Sequence, residues 1–478
     1  MSFVSGLPTR RLSVASVPIA IVAAVAVRLT VPFDPAGATM LAITAFCIVM
    51  WIGNLIPPSY TGILCIGLIG VTFSADLALV GFGTQATWLV AFGLIMGEAT
   101  RRSGLAGWAS RWITDRATAG DPAANPYDTY RRLLVSLSAV GLGLALLIPA
   151  TVARVLIFAP LLVEVGERFD SRTARMGLFL GPLFATYYGG VGVLTAALPN
   201  IIASGILDSV AGVTISWTEW ATVMFPVMSL LRVGFVVAIA YWLYRPDPET
   251  LSIVGVDGGG PGDGGGGGGL GARAMTASDR RMLVYLLVGV TFWATDFLHG
   301  LHPVYGALLV VALAFLPSLG VVDFSEVTGD VDFSILFFLG AVFAIGEGMS
   351  RMGVANALAE SLLGVIPTDA PLVVVLALVF VVVLPLMLLM GGLAVASVGT
   401  PILVSYGTAA GLPLVPIVMT EAIGLGTYFF PYQSAVLVAI LAYDVIEAPE
   451  LIRMTAWCSI ATIFVLLPLQ LAVFTLVF

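Results

Sequence analysis

Apolar windows of near-uniform length recur along the chain, separated by short polar or charged segments. They fall near 14–31, 36–52, 59–75, 84–100, 175–207 and 218–244, and a second set lies near 281–298, 303–319, 331–349, 413–443 and 452–477. A helix needs roughly 20 apolar residues to cross the ~30 Å hydrocarbon layer of a bilayer. The pattern therefore predicts an all-α polytopic membrane protein with about 11 transmembrane helices. The alternating ~10-residue segments of a membrane β-barrel are absent.

Two further apolar stretches, 131–168 and 371–411, are too long for one helix. Each is interrupted at its midpoint, the first by Pro149-Ala150-Thr151 and the second by Gly391-Gly392. Each is either a re-entrant hairpin or a pair of full spans, because unwound backbone is tolerated at membrane depth only inside protein or beside a wet cavity. Arginine placement separates the two readings, since cytoplasmic loops collect Arg. With the N-terminus inside and both stretches folded as hairpins, only Arg28 and Arg351 face outward, Arg154 and Arg232 lie within apolar segments, and every other arginine is cytoplasmic. A full crossing would separate Arg131 and Arg132 from Arg168, Arg172 and Arg175. The hairpin reading is preferred, and it puts the C-terminus outside the cell membrane.

Composition sharpens this picture. The 478 residues are 59% hydrophobic and 10% charged, with a formal charge of −8 and a mean hydropathy of +1.06. A soluble domain carries about a quarter charged residues, so water is not the main solvent. All 20 basic residues are Arg, none Lys, and they sit in short loops rather than along one stripe. That excludes a nucleic-acid partner. Cys47, Cys65 and Cys458 lack metal-ligand or disulfide spacing. Arg10 and Arg11 precede an apolar run without a cleavage site of small residues, which reads as a retained first helix.

Between the two sets of windows, residues 256–271 include six consecutive glycines from Gly264. The segment reads as a flexible linker; no strand precedes it and no phosphate-loop motif follows. The expected organisation is an N-terminal membrane helix (1–35), a first repeat (36–245, with hairpin 131–168 and broken helix 175–207), a Gly-rich cytoplasmic linker (246–279) and a second repeat (280–478, with hairpin 371–411 and broken helix 413–443).

The halves match each other. GEATRRSG from Gly97 shares four of eight residues with GEGMSRMG from Gly346, at an offset of 249. Aligning Pro160 with Pro401 superposes the two hairpin tips. GVLTAALPN from Gly192 and GLGTYFFPY from Gly424 share G-x-x-T-x-x-x-P at an offset of 232. Counting spans between equivalent segments makes the two repeats inverted, the arrangement that gives carriers alternate inward and outward states.

The four interruptions are the candidate site, since half-helices starting there offer amide hydrogens and a positive dipole end to an anion. Candidate substrate contacts are Pro149, Ala150, Thr151, Arg154, Gly192, Thr195, Pro199 and Asn200 in the first half. In the second half they are Gly391, Gly392, Gly424, Thr427, Pro431, Tyr432 and Gln433. Arg154, three residues past the first tip, either clamps an anionic group or pairs with a buried acid such as Glu421. Glu421 and Thr151 are candidates for a coupling ion. Arg232 has no break nearby in sequence and reads as structural or snorkelling. Glu98 and Glu347 read as interfacial salt-bridge partners of the arginines beside them, and His299 and His302 as solvated loop residues.

At these residues the sequence resembles the divalent anion/sodium symporter family of the ion transporter superfamily. PATVARVLIFAPLL from Pro149 is similar to the first-tip segment of its 2-oxoglutarate/malate exchanger branch, and LTAALPNII from Leu194 to its broken-helix segment. The resemblance implies eleven spans, two re-entrant hairpins meeting at the substrate, and a homodimer. Sodium-coupled members carry Ser-Asn-Thr at both tips; here the tips read Pro-Ala-Thr and Gly-Gly-Leu. Tyr432-Gln433 also replaces the family's Pro-Asn. The expected function is secondary active transport of a small anion, of di- or tricarboxylate type, coupled to Na⁺, H⁺ or a counter-anion, with no other cofactor. The alternatives are an arsenite or cation/proton antiporter of the same superfamily and, from another class, an intramembrane enzyme. No His-Ser pair or paired membrane aspartates support an enzyme.

Overall fold

The computed structural model describes residues 9–53, 56–105, 108, 125–253, 275–363, 370–389 and 391–478. The glycine run of the expected linker lies outside them. The described residues are helical; the sole extended pairing among them is an isolated antiparallel bridge between Phe169 and Ile253.

The chain opens with α1 (Thr9–Thr30), α2 (Pro35–Gly53) and α3 (Pro58–Thr72), followed by a short α4 (Ala75–Leu79) and α5 (Gln85–Ser103). The segment holding α4 meets α5 at a 48° bend. Next come α6 (Pro126–Leu147), α7 (Thr151–Glu167), α8 (Arg172–Tyr188), α9 (Leu198–Ala211) and a long α10 (Trp217–Leu243). The same succession then recurs. After α11 (Ala277–Ala294), α12 (Asp296–His299) and α13 (Val304–Ala314), α14 (Phe324–Asp330) meets α15 (Ile335–Arg351) at a 66° bend. After α16 (Val354–Leu363) follow α17 (Leu372–Leu389), α18 (Gly392–Ala409), α19 (Leu414–Leu425), α20 (Ala435–Leu441) and a long α21 (Ala448–Val477). Both long closing helices carry a wide π turn, at Pro226–Leu231 and Thr462–Leu466. By length and composition six helices are able to span a bilayer, or eight if each bent pair counts as one, and further apolar helices of 10–17 residues supplement them.

Both long apolar stretches are hairpins. Tyr130 at the start of α6 stacks edge-on against Phe169 just past α7, with ring centroids 6.4 Å apart, and its hydroxyl donates to the Tyr244 carbonyl at 2.8 Å. The stretch thus returns to the face it left. In the second hairpin Val375 of α17 and Tyr406 of α18 share one apolar cluster with Ala370 and Ala410. The break at each tip lies between a helix end at Leu147 or Leu389 and a restart at Thr151 or Gly392.

The halves interlock rather than merely abut. α9 packs against α18 and α19, and α20 packs against α7, so each broken helix lies along the hairpin of the other half. Small residues permit the close approach between halves: a Cβ at Gly81 would sit 2.6 Å from the Gly340 carbonyl, and one at Gly205 2.9 Å from the Phe343 ring. Rows of exposed apolar side chains, such as Val373, Val374, Val381 and Val382 on α17, form the surface that a lipid solvent requires. Ion pairs gather at helix ends. Glu98 binds both Arg101 and Arg102, Arg102 reaches Glu326 and Asp330, and Glu347 binds Arg351, as expected of interfacial salt bridges.

Candidate anion site at the helix breaks

Away from the interior breaks, helices begin with a side-chain cap at Ser74, Thr84, Asn125, Ser171, Ser216 and Thr276, each accepting from an amide of the first turn, while α3, α14 and α19 are among those that begin without one. Of the four helices that begin at the interior breaks, α20 is capped by Ser434, whose hydroxyl accepts from the Val436 amide at 3.2 Å, and the other three are not. Neither α7, capped by Ala150, nor α9, capped by Ala197, nor α18, capped by Gly391, has any side-chain acceptor for its first amides. Three positive helix ends are thus left free inside the molecule.

Each tip is tied to the break of its own half. Thr151 donates from its hydroxyl to the Ala196 carbonyl at 2.9 Å. Gln433 donates from Nε2 to the Met387 carbonyl at 2.7 Å while its Oε1 accepts from the amides of Phe429 and Phe430, both at 2.7 Å. Tyr432, largely exposed, donates to the Leu388 carbonyl. The breaks also meet each other: Tyr187 and Tyr428 stack at 5.1 Å, and a Cβ on Gly426 would lie 2.6 Å from Val191. Tip, break, break and tip therefore form one connected centre.

Asn200 staples the first break, donating from Nδ2 to the carbonyls of Val191 at 3.0 Å and Val193 at 3.1 Å. Thr195 accepts from the Trp217 indole at 3.3 Å. Gly192 leaves no room for a side chain, because a Cβ would fall 2.3 Å from the Ser229 hydroxyl oxygen. Thr427 back-bonds to the Ile423 carbonyl. Pro199 and Pro431 stand in the first turns of α9 and of the short turn at Pro431–Gln433, where a missing amide hydrogen costs nothing.

Arg154 is completely buried and has no acid partner among the described residues. Its guanidinium instead donates to the carbonyls of Ile148 at 2.6 Å, Ala196 at 2.9 Å and Thr186 at 3.3 Å, and to the Thr151 hydroxyl at 3.2 Å. It collects the carbonyls that the first tip and first break release, and it does not pair with Glu421. Glu421 is equally buried but lies between α19 and α18, one turn before the second break. Arg232, read from sequence as structural or snorkelling, is fully buried and does not snorkel. It bonds the Gly426 carbonyl and stacks on Tyr188 at 4.5 Å. A signal existed in the Tyr187-Tyr188 pair preceding the first break, though its partners come from distant helices.

His299 and His302 are not free in solvent. His302 lines a small cavity with Ser204, Asp208, Thr214 and Leu194, and burial lowers its imidazole below the usual value, partly offset by Asp208. No group of His, Cys, Asp and Glu suited to a metal occurs among the described residues.

The family model described as the sodium:sulfate symporter transmembrane region matches residues 10–478. A membrane protein of Cupriavidus necator is 28% identical over 69% of this chain and 66% of its own length, so the chain spans about two thirds of that relative. The sodium-dependent dicarboxylate transporter SdcS of Staphylococcus saprophyticus is 26% identical over 90% of this chain and 85% of its own. An L-tartrate/succinate antiporter of Escherichia coli is 25% identical over 50% of this chain and 48% of its own. Among solved structures, the YdaH transporter of Alcanivorax borkumensis, described as having an unusual topology, shares the fold with a TM-score of 0.51, 14% identity and 97% coverage of both chains. Interlocked hairpins, paired helix breaks and a match along nearly the whole sequence lead to one statement: this multi-pass membrane protein belongs to the sodium:sulfate symporter family of divalent anion transporters.

Proposed function

We propose that the chain is a secondary active transporter that moves a dicarboxylate by alternating access, with the four breaks enclosing the substrate. The observation that carries this reading is the set of uncapped helix starts at Thr151, Leu198 and Gly392. Free amides and dipole ends facing one interior centre offer an anion what water offers outside. The side chains at the tips and breaks are hydroxyls, amides and the guanidinium groups of Arg154 and Arg232, where a cation carrier would place carboxylates, and Glu421 stands one turn before the second break.

The dicarboxylate class is supported by the printed activities of SdcS and the tartrate/succinate antiporter. Coupling would be to Na⁺, H⁺ or a counter-anion, with Thr151 and Glu421 as the candidate ion contacts. At the first tip Arg154 fills the carbonyl set that a bound cation would otherwise use, which favours proton coupling or exchange over a Na⁺ at that tip. The chain would sit with its N-terminus cytoplasmic and C-terminus outside, as a homodimer, with repeats over 36–245 and 280–478 joined by the linker 246–279.

The test is uptake of labelled succinate, 2-oxoglutarate and sulfate by the purified protein in liposomes, under separate Na⁺, H⁺ and internal-anion gradients. Saturable uptake of a dicarboxylate supports the reading, and silence with every anion overturns it.

A further inference from the structure

Glu421 lies on α19, five residues ahead of Gly426, where the second break begins. Its side chain is fully buried, and neither carboxyl oxygen has a hydrogen-bond partner among the described residues. Facing it on α18 are Gly399 and Thr400. A Cβ built on Gly399 would lie 3.0 Å from Oε1, so the absent side chain is what makes room for the carboxyl. The Thr400 hydroxyl lies beside it, is itself fully buried, and likewise has no well-formed hydrogen bond. Two buried, unpartnered polar groups thus lie side by side where α19 meets the arm of the second hairpin.

No charge nearby offsets a carboxylate there. Helices α17, α18 and α9 pack against α19. α17 has no titratable side chain, and α18 has only Tyr406, at the base of the hairpin. α9 has only Asp208, at its far end, which accepts from the Thr214 hydroxyl. Arg232 reaches the Gly426 carbonyl and Arg154 the carbonyls of the first break; neither forms an ion pair with Glu421. A buried carboxylate without donor or counter-ion is not sustained, whereas a carboxylic acid whose O–H meets a hydroxyl oxygen is.

We infer that Glu421 and Thr400 form a proton-binding site whose loading and release are coupled to substrate movement, an inference that rests on the transport reading above and names its coupling ion. The balance is simple: the carboxylate takes one proton from water when the hairpin arm opens to one side, carries it as the neutral acid while buried, and returns it on the other side. One carboxyl and one hydroxyl supply too few oxygens to replace the hydration shell of Na⁺. An intramembrane acid poised against an element that moves is the usual form of a proton relay in carriers.

The experiment uses the full chain in sealed liposomes, with labelled succinate, Na⁺ absent and a pH-sensitive dye inside. For the wild type the inference expects a luminal pH change on adding succinate. With one proton per substrate, accumulation rises about tenfold for each pH unit of imposed gradient. For Glu421→Gln it expects gradient-driven accumulation to vanish and the pH profile of succinate exchange to flatten. The inference is overturned if Glu421→Gln keeps the wild-type pH dependence, or if wild-type transport moves no protons or answers only to Na⁺. Should the variant fail to assemble, the wild-type dye signal decides alone. Exchange without proton movement, or succinate movement only when Na⁺ is added, overturns the proton site and leaves the transport reading standing; no movement of succinate, 2-oxoglutarate or sulfate with Na⁺ present or absent overturns both.

Discussion

The guanidinium of Arg232, in the first half of the chain, donates from Nη2 to the carbonyl of Gly426, in the second half, at 2.7 Å. The same group lies over the ring of Tyr188, the last residue of α8 before the first break. Arg232 also follows directly on the π turn of α10, which swings its side chain off the regular helical position. One cation thereby caps the negative end of α19, covers the end of α8, and holds the two breaks in fixed relation.

Replacing Arg232 by Met should therefore damage transport more than folding. A buried guanidinium with two unpartnered nitrogens is expensive to keep, and an apolar residue of similar length relieves that cost while orphaning one carbonyl, an effect of about 1–3 kcal/mol. Turnover in liposomes is expected to fall by more than tenfold while Tm changes little. Loss of both in parallel would reduce Arg232 to a packing residue.

Arg154 gives the opposite balance. Its removal takes a donor from the carbonyls of Ile148, Thr186 and Ala196 at once, of which Ala196 keeps the Thr151 hydroxyl, and a carbonyl left unpaired costs about 1–3 kcal/mol. Arg154→Ala is expected to lower Tm strongly and to abolish anion transport. Because the vacated carbonyls suit a hard cation, added NaCl should restore part of the lost Tm and KCl should restore less. A variant with full anion transport would instead favour the cation-antiporter alternative.

Two glycines at the second break separate packing from function. A Cβ on Gly424 meets Val383 at 2.6 Å, so Gly424→Ala overfills the α17–α19 contact and costs roughly 1–3 kcal/mol. A Cβ on Gly391 meets nothing nearer than the Gln433 carbonyl at 3.9 Å, and its backbone φ of −69° suits alanine. Gly391→Ala should keep the wild-type Tm but alter the apparent affinity for substrate, because the methyl enters the space before the uncapped start of α18. Thermal melts and uptake kinetics on both variants check the contrast.

At the Arg-rich end, Asp170 accepts from the hydroxyl and the amide of Ser252 and anchors the segment that leads into the linker. Those bonds hold the Asp170 carboxyl below its ordinary value. A depressed value in the folded state means that the stabilisation is complete above the ordinary carboxylate range and is lost as pH falls through the folded value. Asp170→Asn should therefore lower Tm slightly at neutral pH, and the gap to wild type should close under acid. Melting curves from neutral pH down past the carboxylate range measure it.

Much of the architecture was legible because lipid imposes harsh rules. Pro149 and Gly391-Gly392 interrupt runs that would otherwise be single helices, and both prove to be hairpin tips. The matched GEATRRSG and GEGMSRMG segments occupy equivalent places: Gly97 faces Ala153 of α7, and Gly346 faces Pro401 of α18. Side-chain partnerships were far less legible. Nothing in local pattern tells that Arg232 would find a carbonyl 194 residues away, or that Arg154 would bond backbone rather than an acid. The short bent helices before α5 and α15 were also missed, since their few residues merge into the adjoining apolar windows. Backbone breaks are written in residue type, whereas long-range polar contacts depend on how the halves interlock.

The account stands most directly on whether an anion occupies the space before the free helix starts. Ala150 is half-buried at the first tip, and the native cysteines Cys47, Cys65 and Cys458 are buried, so Ala150→Cys supplies a readable probe. The measurement is its labelling rate by a membrane-impermeant maleimide in liposomes, with and without saturating succinate. The account predicts labelling from the side to which the tip opens and clear protection by succinate. Equal rates with and without succinate, 2-oxoglutarate or sulfate would contradict it.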